Sequence, residues 1–105
     1  MQFGLEEITV KKINDVFSRF AEIKEVVLYG SRALGNHKTG SDIDRTILSD
    51  KIEMSTLYKI ERELDELFLP YTIDLSVYSH IQSPDLLEHI KNVGKIFYSD
   101  STNFR

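Results

Sequence analysis

The chain has 105 residues, 41% apolar and 29% charged, which is enough for one modest core and reads as a single domain over 1–105. Its formal net charge of −4 argues against a dedicated nucleic-acid binder, which carries a basic stripe, and the absence of cysteine excludes a disulfide framework and a thiolate metal site. No apolar run approaches the roughly 18 residues that span a bilayer, and the N-terminus lacks the shape of a signal peptide, so a cytoplasmic protein with no membrane contact is expected.

Val10, Ile13, Val16, Phe17 and Phe20 recur at helical spacing and predict an amphipathic helix over 6–20 that packs on a sheet. Val26 to Leu28 read as a short buried strand ending at Tyr29. Gly30-Ser31 then turns the chain. Glycine tolerates the tight backbone, and Ser31 reads as the N-cap of a short helix over Arg32 to Leu34 that Gly35 stops. A strand that runs into a helix start makes an anion seat, because unpaired N–H groups and the helix dipole point at whatever sits there. Asn36 to Ser41 is a loop rich in turn formers, with Ser41 capping or orienting the entry to a second strand over Asp42 to Leu48.

Met54 to Phe68 predicts the second long helix, with Leu57, Ile60, Leu64, Leu67 and Phe68 as its buried stripe and Pro70 blocking continuation. Thr72 to Tyr78 alternates as a third strand, with Ile73, Leu75 and Val77 on one side and Thr72, Asp74 and Ser76 on the other. Ser83-Pro84-Asp85 starts a last helix that turns Leu86, Leu87, Ile90 and Val93 inward and ends at Gly94. Ile96 to Tyr98 is either a terminal strand or a docked tail, and Ser99 to Arg105 reads as a frayed end. The order α-β-(short α)-β-α-β-α places the chain in the α/β (α+β) class. Helices cover one face of a small sheet and the other face stays open.

The open face carries the chemistry. Side chains alternate along a strand, so Asp42 and Asp44 point the same way. Two carboxylates that close repel and raise a pKa unless a cation lies between them, and a hard divalent ion such as Mg²⁺ is the natural occupant, completed by phosphate oxygens of a substrate. Asp74 sits inside a strand, where aspartate is depleted. Either it faces water from a half-exposed sheet, or it joins Asp42 and Asp44 as a third carboxylate; the second reading is favoured. Arg32 and Lys38 lie where they could reach phosphate, and Arg32 is preferred for its forked donors. His37, His80 and His89 show no ligand spacing and read as surface histidines. Arg45 shares the side of Ile43 and Ile47, so it must snorkel to an edge or pair with an acid.

Gly30-Ser31, ten residues, then Asp42-x-Asp44 resembles the signature of the nucleotidyltransferase superfamily that includes DNA polymerase beta. The run Tyr-Gly-Ser-Arg-Ala-x-Gly…Gly-Ser-Asp-Ile-Asp is similar to the minimal nucleotidyltransferases of prokaryotes. That resemblance implies a nucleotidyltransferase fold with a mixed three-stranded core. It implies that Asp42, Asp44 and Asp74 are the catalytic acids and hold two Mg²⁺ ions, and that Gly30, Ser31 and Arg32 bind the nucleotide, ATP. The partner it implies is a HEPN-domain toxin from an adjacent reading frame, silenced by transfer of AMP to a tyrosine. The chain would then be the antitoxin of a type VII-like pair, a hetero-oligomer with no nucleic acid. Two departures stand out: Arg45 where relatives often carry an aliphatic residue, and Leu34 where they are frequently basic. The alternatives are a binding module that neutralises a HEPN partner without catalysis, against which the intact acids weigh, and an aminoglycoside-like small-molecule transferase, which usually has an added helical domain.

Overall fold

The computed structural model describes residues 3–36, 42–49 and 52–99. The expectations for His37, Lys38, Ser41 and the end after Ser99 fall outside them. Helix α1 (Glu7–Ser18) leads to β1 (Glu25–Tyr29), and a four-residue helix α2 (Ser31–Leu34) separates it from β2 (Ile43–Leu48). Helix α3 (Met54–Asp65), β3 (Ile73–Val77), a 3₁₀ turn over Tyr78–His80, α4 (Pro84–Val93) and β4 (Lys95–Ser99) follow. The sheet has four strands in the order β3-β2-β1-β4. β1 runs antiparallel to both β2 and β4, while β2 and β3 are parallel because α3 carries the chain back across the sheet. Of the two readings of Ile96 to Tyr98, the strand is the one observed; it adds a fourth member to the expected three.

Apolar spacing explains the packing. Ile13, Val16 and Phe17 of α1 and Leu57, Ile60 and Leu64 of α3 are buried against Val26 and Leu28 of β1, Ile43 and Ile47 of β2, and Leu75 and Val77 of β3. An Arg19–Glu63 ion pair at 2.7 Å ties the two helices together at the surface, where such pairs add little. Helix α4 obeys its start signal: Ser83 accepts the Leu86 N–H and Pro84 occupies the first turn. It lies on the other side of the sheet, since its C-terminal Gly94 abuts the Val27 side chain, which alternates with Val26 and Leu28. Ile90 and Tyr29 are buried there, apart from the main core. The face is open at the acids and roofed over β1.

Two local expectations are corrected. Phe68 does not join the α3 stripe. The helix ends at Asp65, Phe68 takes a left-handed φ of 53°, and its ring is 88% exposed. Ser31 does not cap α2; it is the helix's first residue, with Gly30 at the cap and no side-chain cap bond. Gly35 does end α2 in the left-handed conformation, φ 83°. Among the described residues no helix is long and apolar enough to cross a membrane.

Candidate active site

The sheet register sets the acids side by side. Asp44 on β2 pairs with Tyr29 on β1 and with Asp74 on β3, so these three side chains form a row across one face. Asp42, one residue before β2 and two before Asp44, belongs to the same face. Asp42 and Asp74 are exposed and Asp44 is half-buried. Partial burial first, then the charges of Asp74 and Asp42, hold the Asp44 carboxyl above the ordinary 3.8. Burial likewise pushes the Tyr29 phenol above 10.0, opposed by a hydrogen bond to Ser76 and reinforced by Asp74 and Asp44.

Mutual repulsion among acids on an open face is the chemistry that a hard divalent cation relieves. Among the described residues no three acidic or histidine side chains gather tightly enough to hold a metal ion alone. Carboxylate oxygens of this kind suit a hard divalent ion, which takes carboxylates together with substrate oxygens.

The turn at the end of β1 touches this row directly. Gly30 has φ 79° and ψ −158°, a region that side chains other than glycine rarely adopt. A Cβ on Gly30 would collide with Oδ2 of Asp44, so glycine is required both by conformation and by the carboxylate. The sequence reading expected the Gly30 and Ser31 N–H groups to face a phosphate. The Gly30 N–H instead donates to Nε2 of His89 on α4, at 3.1 Å. Ser31 follows as the first residue of α2.

Arg32 is placed differently from a solvated cation. It is 3% exposed, donates from Nη1 to the Phe3 carbonyl at 2.9 Å, and lies over the Tyr71 ring with Cζ 4.9 Å from the centroid. Those contacts pin α2 to the chain before α1 and before β3.

Arg45 neither snorkels nor pairs with an acid among the described residues. It is fully buried on the core side of β2, its guanidinium lying between the rings of Phe97 (4.3 Å) and Phe17 (5.5 Å). None of its three guanidinium nitrogens has a hydrogen-bond partner among the described residues. Burial lowers its pKa to about 9. The departure thus lies behind the sheet, away from the acids.

His89 is the residue that sequence reading missed. It is half-buried, bonded to Gly30, and edge-on to Tyr29 with ring centroids 6.1 Å apart. A signal was present: His89 is three residues after Leu86 and four before Val93, on the flank of the inward stripe of α4.

The family profile described as polymerase beta, nucleotidyltransferase matches residues 11–103. No curated protein sequence matches the chain. Among solved structures, the chain resembles a protein in a toxin–antitoxin complex with AMP-PNP: 19% identity, TM-score 0.68, 94% of this chain and 77% of that one. It also resembles a chain from a complex of a tri-AMPylated Shewanella oneidensis HEPN toxin with MNT antitoxin, at 16% identity, TM-score 0.66, and 95% and 77% coverage. A third is a nucleotidyltransferase described as putative from Sulfolobus solfataricus, with 20% identity, TM-score 0.56, and 90% and 80% coverage. At these identities the likeness concerns the fold.

Proposed function

The chain belongs to the polymerase beta nucleotidyltransferase family, and on that premise we propose that it transfers AMP from ATP to a tyrosine hydroxyl of a HEPN-domain partner. The reading makes it the antitoxin of a cytoplasmic two-component pair, one minimal domain that works on a docked protein. The observation that supports it is the Tyr29–Asp44–Asp74 row abutting the Gly30 turn.

In this mechanism Asp42 and Asp44 would hold a Mg²⁺ that comes with the nucleotide, and Asp74 would help them hold a second ion. When bound, Mg²⁺ neutralises phosphate charge and makes the acceptor hydroxyl more acidic. Ser31 N–H and Oγ hold the β- and γ-phosphates, and Gly30 supplies the close approach of the backbone. Arg32 fixes the orientation of α2 through the Phe3 carbonyl and the Tyr71 ring. The acceptor oxygen bonds to the α-phosphorus as the bond from that phosphorus to the bridging oxygen breaks. Pyrophosphate leaves with that electron pair, and the hydroxyl proton passes to Asp74 or through it to water. The row of acids orients the attacking group in line with the leaving one.

The test is a purified chain with Mg²⁺ and α-labelled ATP, with and without the HEPN protein from the neighbouring reading frame. Label on a tyrosine of the partner is the expected result. A complex that forms without label would make the chain a binding module, and label on an added aminoglycoside with no protein acceptor would make it a small-molecule transferase.

A further inference from the structure

His89 lies outside the expected machinery, yet it makes the one side-chain contact described for the Gly30 amide. Its Nε2 accepts that N–H at 3.1 Å, so this nitrogen presents a lone pair to Gly30. The edge of Tyr29 fixes the ring orientation, at an interplanar angle of 82°. On its other side Gly30 meets the Asp44 carboxylate with no room for a Cβ. The glycine is thus held between α4 and β2, in a conformation open to glycine and closed to other residues.

We propose that His89 is a positioning residue for nucleotide transfer: by holding the Gly30 amide it fixes the turn that seats the phosphates beside Asp44. The proposal rests on the transferase reading above. Without an acceptor the half-buried Gly30 N–H has to turn toward water or toward the nucleotide. Either rotation moves the next peptide, which carries the Ser31 N–H, and a small misplacement of a phosphate donor is felt in binding and in alignment.

The experiment compares His89→Gln and His89→Leu in the full chain. Gln places Oε1 near the position of Nε2 and can accept the bond, whereas Leu fills volume and accepts nothing. With AMP-PNP and Mg²⁺, Leu should weaken binding about 3–10-fold, the worth of one hydrogen bond, and Gln should stay within about twofold of wild type. In ¹⁵N-resolved hydrogen exchange the Gly30 amide should exchange faster in the Leu variant and recover in Gln, with the Val26 and Ile47 amides unchanged. Unaltered Gly30 exchange in Leu, unaltered AMP-PNP affinity, or a Gln variant as impaired as Leu overturns the proposal. A wild-type chain that binds AMP-PNP but labels no acceptor overturns the transferase reading instead, and the binding and exchange arms still decide His89.

Discussion

Replacing Arg45 by methionine should make the chain more stable and leave the carboxylate face untouched. The fall of its pKa from the ordinary arginine range to about 9, at about 1.36 kcal/mol per pH unit, sets the burial cost of the charge on the order of 5 kcal/mol. The Phe97 and Phe17 faces return part of this, about 1–2 kcal/mol for a desolvated cation over a ring. A similar-sized apolar side chain has no charge to bury, so Arg45→Met should gain about 3–4 kcal/mol. That corresponds to a rise in Tm of about 10 °C or more in a chain of this size. The pH dependence gives the argument its sign. Above about pH 9 the unfolded chain keeps a proton that folded Arg45 has released, so wild-type stability rises with pH there. Below that window both forms are charged and the penalty is full. The gap between variant and wild type should therefore be widest at neutral pH and narrow above pH 9. Urea unfolding followed by circular dichroism at pH 7 and pH 10 reads both, with labelled-AMP transfer run in parallel. A variant less stable than wild type by about 1 kcal/mol or more, or a gap that does not narrow, would mean the guanidinium is paired, and the reasoning would be wrong.

Asp42→Asn and Asp44→Asn should each abolish AMP transfer with the circular-dichroism spectrum unchanged; because repulsion among the acids is relieved, Asp44→Asn should not lower Tm in the absence of metal. Surviving activity in either would remove the metal assignment. Gly30→Ala forces a Cβ against Asp44 and an L side chain into a glycine conformation, which should cost about 1–3 kcal/mol in urea unfolding and remove transfer. Asp74→Asn should lower turnover more than AMP-PNP affinity, and in a ¹³C carboxyl titration it should bring the raised pKa of Asp44 back down, since Asp74 is its largest charged neighbour effect. An Asp44 titration that stays put would show that the two carboxyls do not share a field.

The elements and the row of acids were legible because they rest on local rules. Alternation along β2 and β3 gives the facing of Asp42, Asp44 and Asp74, and a glycine between strand and helix marks the turn. Alternation also turned Arg45 inward correctly. Its environment was illegible, because whether a buried cation meets an acid or aromatic faces depends on α1 and β4, far away in sequence. The exact neighbour of Asp44 was illegible for a similar reason: nothing local says that Asp74 stands at its register, which the α3 crossover sets. The bond from Gly30 to His89 spans 59 residues and leaves only the faint mark of a polar residue flanking an apolar stripe. Phe68 misled because the helical period continues past the point where the backbone turns left-handed.

β2 shows why the two faces of one strand can be so differently organised. On one face acids crowd together at a cost that metal and nucleotide would offset; on the other a cation is stacked between rings. Neither arrangement serves the stability of the empty chain, and the apolar contacts of Ile43 and Ile47 with α1, α3 and the neighbouring strands must outweigh both. For the acids the compensation has an identifiable source, because a ligand that binds only the folded state stabilises it by mass action. For Arg45 no such source touches the guanidinium, since it is sealed from the open face by the sheet itself. The two charges are therefore separable: relieving the first should cost function, and relieving the second should not.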